Sequence, residues 1–126
     1  MSKQVIATKS APGAIGPYSQ AIEGGGFIYT SGQLGLDPET GQFGEGVQGQ
    51  TRQSLNNVKA ILEAAGAEMG QIIKTTVFLK DMNDFVAMNE VYSSFFSEPY
   101  PARSAVEVAR LPKDALVEIE VIVLKN

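Results

Sequence analysis

The sequence contains neither cysteine nor histidine. Without cysteine there is no disulfide framework and no thiolate nucleophile. Without histidine the Ser-His-Asp triad and the Cys-His dyad are excluded, and with both residue types missing so are the ordinary zinc sites; no metal is expected. No apolar run approaches the ~20 residues that a membrane-spanning helix requires. The first residues, Met1-Ser2-Lys3-Gln4, carry neither an apolar signal region nor an Arg-rich amphipathic stretch, so a cytoplasmic location away from membranes is expected. Basic runs are missing as well. The formal charge is −4 and the pI is about 4.8, so the positive field on which nucleic-acid binders depend is absent and nucleic acid is not expected as the main partner.

What remains is a chain of 126 residues, 44% of them apolar, with no internal repeat, low-complexity tract or linker. One domain spanning residues 1–126 is expected, large enough for a real core. Gln4 to Ala7 reads as an edge strand, followed by a Gly/Pro-rich loop from Ala11 to Tyr18. Gln20 to Glu23 and Phe27 to Gly32 read as strands joined by Gly24-Gly25-Gly26. A phosphate-cradling loop would need a helix start directly behind those glycines, and a strand follows instead, so a hairpin turn is the reading. Asp37-Pro38-Glu39-Thr40-Gly41 is a further turn.

A helix is expected from between Val47 and Gln50 to about Ala65, with Leu55, Val58, Ile61, Leu62 and Ala65 at helical spacing and Gly66 as its left-handed stop. Ile72 to Lys80 alternates as a central strand, Ile73, Thr75, Val77 and Leu79 against Ile72, Lys74, Thr76 and Phe78. Asp81 is placed to cap a second helix, with Phe85, Met88, Tyr92, Phe95 and Phe96 as its apolar stripe. Arg103 to Val108 and Leu116 to Leu124 alternate on either side of Leu111-Pro112-Lys113-Asp114, the pattern of an antiparallel hairpin. Read that way, Arg103, Glu107, Glu118 and Glu120 gather on its polar side. The order β-β-β-α-β-α-β-β predicts an α+β two-layer sandwich, a mostly antiparallel sheet with both helices on one face. The uncovered face carries Phe78, Leu116, Ile122 and Leu124 beside its charges, which points to a subunit interface.

Pro101-Ala102-Arg103-Ser104-x-Val106, Ala109-x-Leu111 and Val117-Glu118-Ile119 resemble the signature of the Rid family, also called YjgF. The resemblance continues through Ala14-Ile15-Gly16-Pro17-Tyr18-Ser19-Gln20, Thr30-Ser31-Gly32-Gln33, Lys74-Thr75-Thr76-Val77-Phe78 and Asn89-Glu90-Val91-Tyr92, in the family's order and over essentially the full chain. It implies a fold like that of small chorismate mutases, a curved sheet backed by two helices and assembled as a homotrimer with sites in clefts between subunits. It also implies a cofactor-free hydrolase that converts enamines and imines, such as 2-aminoacrylate/2-iminopropanoate and 2-iminobutanoate, to 2-keto acids and ammonia. Such intermediates are released by pyridoxal-phosphate-dependent dehydratases.

Arg103 is the first candidate for chemistry, because a planar guanidinium can grip a 2-imino acid by its carboxylate. The competing reading is a salt bridge to Glu118 or Glu120 across the hairpin. Glu118 is similar to the family's water-positioning glutamate, and a carboxylate one water away from the imine carbon can shuttle the protons of hydrolysis. Without histidine, the carboxylates and Tyr18 are left to move protons. The resemblance adds Asn89 as a ligand contact and Ala105 as a backbone N–H donor to the substrate carboxylate; many relatives carry cysteine at that position. Ser31 and Gly32, at a strand end, are placed to approach a ligand closely. Glu107 and Glu120 are read as structural ion pairs. A small-carboxylate-binding regulatory protein is the alternative use of the same cleft, and an RNA-directed role is disfavoured by the acidic charge.

Overall fold

The computed structural model describes residues 2–125. Seven strands form one sheet: β1 (Gln4–Ile6), β2 (Ala21–Gly24), β3 (Phe27–Thr30), β4 (Gln33–Leu34), β5 (Ile72–Leu79), β6 (Ala102–Glu107) and β7 (Val117–Leu124). The helices are α1 (Gly46–Ala64) and α2 (Phe85–Ser93). Strand order is β1-β2-β3-β7-β5-β6, with β4 paired to β7. Both helices pack on one face, over a core that includes Ile28, Leu55, Val58, Ile61, Leu62, Val77, Leu79, Met88 and Ile119, all fully buried. The expected α+β arrangement of two helices on a mostly antiparallel sheet is found. Among the described residues no helix is long and apolar enough to cross a membrane.

The closing hairpin is not found. β7 pairs antiparallel with β5, β3 and β4, whereas β6 pairs parallel with β5 alone, so β5 lies between the two expected hairpin partners. The reason is burial. Val117, Ile119, Val121 and Val123 are fully or almost fully buried, which demands a central strand with neighbours on both sides. β6 is mostly exposed and takes the edge. Alternation reveals a strand but not its neighbour. α2 supplies the crossover that a parallel β5–β6 pair requires. The connection to β7 then folds over the end of β5: Val108 N donates to Leu79 O (2.9 Å), and Lys80 N donates to Leu116 O (3.0 Å).

The register decides which side chains share a face. Arg103 stands beside Thr75, and Thr75 beside Val121, all on the helix-covered side. Glu118 stands beside Phe78, and Phe78 beside Val106, on the opposite, open side. Arg103 and Glu118 of one chain therefore lie on opposite faces of the sheet.

Three smaller departures follow from local geometry. A register shift between Ile72 and Lys74 puts Ile72 into the core and leaves Ile73 exposed, reversing the expected alternation at the start of β5. Asp81 does cap, its Oδ1 accepting from Asn83 N at 2.9 Å, but a 3-10 turn over Met82–Asp84 intervenes before α2. Phe95 and Phe96 lie beyond the end of α2 and reach the core from the following turn. Elsewhere the turns behave as read. Gly25 and Gly26 take φ of 62° and 85° in a two-residue hairpin turn, and Gly66 takes φ of 76° after α1. Ala67 N donates to Leu62 O and Gly66 N to Glu63 O, closing α1 in a Schellman motif.

The open face runs from Val5 through Ile22 and Tyr29 to Ile122 in one register row, with Leu124 and Val106 nearby. Val5, Tyr29, Val106 and Leu124 are between 40% and 66% exposed. It is the mixed apolar surface that the strand pattern implies.

Candidate active site

The seven residues singled out in the sequence fall into two groups, one on each face. Tyr18, Ser31, Gly32 and Glu118 line a cavity of about 690 Å³ on the open side. Three elements bring them together. The loop after β3 presents Ser31, whose N donates to Gln20 O (2.9 Å) and whose Oγ donates to Ser19 O (2.6 Å). The 11–18 loop brings Tyr18, with its hydroxyl accepting from Ile15 N at 3.4 Å. β7 brings Glu118 against Gly32, so close that a Cβ on residue 32 would stand 2.7 Å from the Glu118 carboxyl carbon. A side chain at position 32 would force the Glu118 carboxylate to move. Burial lifts the Glu118 carboxyl above the ordinary glutamate range, and the charge on Glu120 lifts it further. The result is a partly dry carboxyl group at a strand end, in a cavity that the Tyr18 phenol also lines, suited to accepting and returning a proton.

The second group sits on the helix side, at the sheet edge. Arg103 Nη1 donates to Asn89 Oδ1 at 2.6 Å. The guanidinium carbon lies 4.6 Å from the centre of the Tyr92 ring and 5.3 Å from that of Phe85. Ala105 follows two residues on, half-buried in register with Val77. β6 ends the strand order, so the outward backbone groups of this edge have no neighbouring strand. The arginine is an exposed cation held at an open edge, with a planar fork of N–H donors of the kind that can grip a carboxylate.

The salt bridge from Arg103 to Glu118 or Glu120 is not formed, because the faces are opposite. Among the described residues the expected ion pairs of Glu107 and Glu120 are not formed either. Glu107 Oε1 accepts from Met82 N at 2.8 Å, fixing the 3-10 turn that precedes α2, and Glu120 projects beside Thr76 on the open face. The ion pairs found among the described residues are Arg110–Asp114 and Lys125–Glu23.

Sequence reading missed the groups that hold the cavity wall in place. Gln20 is 4% exposed; its Nε2 donates to the carbonyls of Thr8, Ala11 and Pro12, and its Oε1 accepts from Thr8 N. It pins the start of the loop that carries Tyr18. On α1, buried Ser54 donates to Gln33 O, Asn57 donates to Leu34 O and Leu36 O, and Gln50 Oε1 accepts from Leu116 N. These side chains fix the segments flanking Ser31-Gly32 and Glu118. Their signal was readable: polar residues at 50, 54 and 57 share the spacing of the apolar stripe, so they point inward.

Comparison with known proteins places this architecture. The family model described as Endoribonuclease L-PSP matches residues 8–125. The chain belongs to this family. Solved structures named RidA and YjgF match the chain as well, in line with the Rid/YjgF resemblance of the sequence. The chain is 57% identical over 129 residues to the 2-iminobutanoate/2-iminopropanoate deaminase of Salmonella typhimurium, covering 100% of both chains. It is 59% identical to a RutC family protein of Pyrococcus horikoshii, with 98% of this chain and 99% of that one covered. Among solved family structures, Escherichia coli TdcF with bound serine superposes at a TM-score of 0.93 with 53% identity, covering 98% and 99% of the two chains. Yeast Mmf1 does so at 0.95 with 37% identity, covering 99% and 100%.

Proposed function

We propose that this protein is a cytoplasmic, single-domain homotrimer that hydrolyses 2-iminopropanoate, 2-iminobutanoate and their enamine tautomers to 2-keto acids and ammonia. The observation that carries this reading is the division of the site. A carboxylate anchor and a proton-handling carboxyl group stand on opposite faces of one sheet, so one chain offers each half of an imino-acid site to a different neighbour. The half-apolar open face supports the same assembly, since covering it stabilises by roughly 25 cal/mol per Å² of apolar surface. Two relatives named as deaminases of this kind cover the full chain at 56–57% identity.

In the proposed chemistry Arg103 of one copy, with the Ala105 backbone N–H, holds the substrate carboxylate. Asn89 keeps the guanidinium in place and lines the substrate side. Glu118 of the neighbouring copy takes a proton from water as its oxygen bonds to C2, and the C=N π pair moves to nitrogen, which is protonated. Collapse of the carbinolamine breaks the C–N bond, the keto C=O forms, and ammonia leaves. Tyr18, Ser31 and Gly32 shape the water side, with the Tyr18 hydroxyl as a second proton carrier. Water is the sole co-reactant, so the proposed step needs no cofactor.

The test couples the purified protein to a threonine or serine dehydratase and follows the imine directly. Imine loss well above the buffer rate is expected. Loss at the buffer rate contradicts the enzyme; if a 2-keto acid still binds, the small-carboxylate regulator replaces it. Saturable, salt-sensitive binding of RNA would instead favour the activity in the family's description.

A further inference from the structure

Arg103 does not stand alone at the sheet edge. Its neighbour in register is Thr75, a buried polar residue in the core with 0% exposure. The Thr75 Oγ1 and the Tyr92 hydroxyl are hydrogen-bonded at 2.8 Å inside that core. The Tyr92 ring is 6% exposed and passes beneath the guanidinium at 4.6 Å, and Phe96 packs against it with ring centres 4.5 Å apart. Three contacts therefore converge on one ring: a hydroxyl lock at its tip, an aromatic neighbour at its side and a cation over its face. A plain core aromatic at this place would be phenylalanine, which needs no buried hydroxyl partner. The hydroxyl pair costs desolvation that an apolar pair avoids. What the pair supplies is a fixed ring plane and depth, anchored to the strand residue beside Arg103.

We propose that Tyr92, locked by Thr75, is a positioning residue that sets the plane of the Arg103 guanidinium for carboxylate capture. It acts through the arginine and touches no substrate itself. Asn89 completes the seat from the other direction by accepting from Nη1. A ring face below and an amide at one nitrogen restrict how the guanidinium can turn, and a two-point grip on a carboxylate needs that pre-alignment. The proposal rests on the imino-acid reading for its consequence, but its geometry is measurable without substrate.

The experiment uses the intact protein and the variants Tyr92→Phe, Tyr92→Leu and Thr75→Val. The first readout is the Arg103 Nε–Hε NMR signal, which the ring current of Tyr92 displaces. Displacement is expected in the wild type, a changed but surviving displacement in Tyr92→Phe and Thr75→Val, and in Tyr92→Leu a fall to the smaller contribution of the Phe85 ring 5.3 Å away. The second readout is 2-oxobutanoate affinity and the KM for imine. A rise of about 5- to 30-fold in Tyr92→Leu, with kcat changed far less, matches loss of a cation–π seat. Tyr92→Phe and Thr75→Val should each raise KM about 2- to 5-fold, and the double variant no more than either alone, because both remove one hydrogen bond. An undisplaced Arg103 signal in the wild type overturns the proposal, as does a Tyr92→Leu protein that stays folded with unchanged KM. A displaced signal in a protein that hydrolyses no imine leaves the seat standing and removes the reaction instead.

Discussion

Replacing Arg103 with alanine is expected to lower kcat/KM for imine hydrolysis by about 10²- to 10³-fold, the equivalent of roughly 3–4 kcal/mol, while the protein stays folded. The size comes from removing the one cation that the proposal sets against the substrate carboxylate, in a cleft where the anion has lost water. Folding is spared because the side chain is exposed and its contacts are few: one hydrogen bond to Asn89 and the faces of Tyr92 and Phe85. Exposed contacts of this type contribute at most ~1 kcal/mol each. Arg103→Lys should recover only part of the loss, since an ammonium keeps the charge but not the planar two-point grip. Steady-state kinetics with thermal denaturation of each variant check this; full activity in Arg103→Ala would remove the residue from the mechanism.

Replacing Glu118 with glutamine has the opposite signature. The turnover number is expected to fall by about 10²- to 10⁴-fold, the range for losing a general acid–base group, while 2-keto acid affinity stays close to that of the wild type. Stability should rise. Burial and the Glu120 charge lift the Glu118 pKa in the folded chain above its unfolded value. Between the unfolded and the folded value the native state holds more protons, so stability falls as pH rises through that window. Above both values the ionised carboxylate carries the whole cost, and below both the cost is gone. An uncharged amide removes it at neutral pH, so the thermal midpoint of Glu118→Gln should exceed that of the parent at pH 7 and converge with it in acid. The kcat profile of the parent should fall on the acid side as Glu118 takes up its proton, at a pH above the ordinary glutamate range, and the variant's residual rate should lose that limb. A variant with normal turnover would exclude Glu118 as the proton carrier.

Much of the architecture was legible because it depends on local signals. The glycine pair at 25–26, the stop at Gly66, the α1 stripe and the buried face of β7 are each specified by neighbours within a few residues. The position of β6 was not. Its alternation is equally compatible with a hairpin partner or a parallel one, and only the depth of burial of β7 and the crossover through α2 decide between them. That error carried the site with it. A hairpin puts Arg103 and Glu118 on one polar surface, whereas the thickness of the sheet separates them. The proposed site residues stand out in the sequence because a chain without histidine has few groups that can handle protons or bind carboxylates. The supports at Gln20, Gln50, Ser54, Asn57 and Thr75 each look like an ordinary polar residue in the sequence and become distinctive only through a buried partner.

The central claim is that each active site takes Arg103 from one copy and Glu118 from its neighbour, and mixing the two inactive variants tests it most directly. Arg103→Ala and Glu118→Gln chains are unfolded together in equal amounts, refolded and assayed against each variant refolded alone. In randomly mixed closed rings about one quarter of the sites pair an intact Arg103 with an intact Glu118, so activity should return to about a quarter of the parent level. Mixed assemblies that remain as inactive as either variant alone would contradict a shared site.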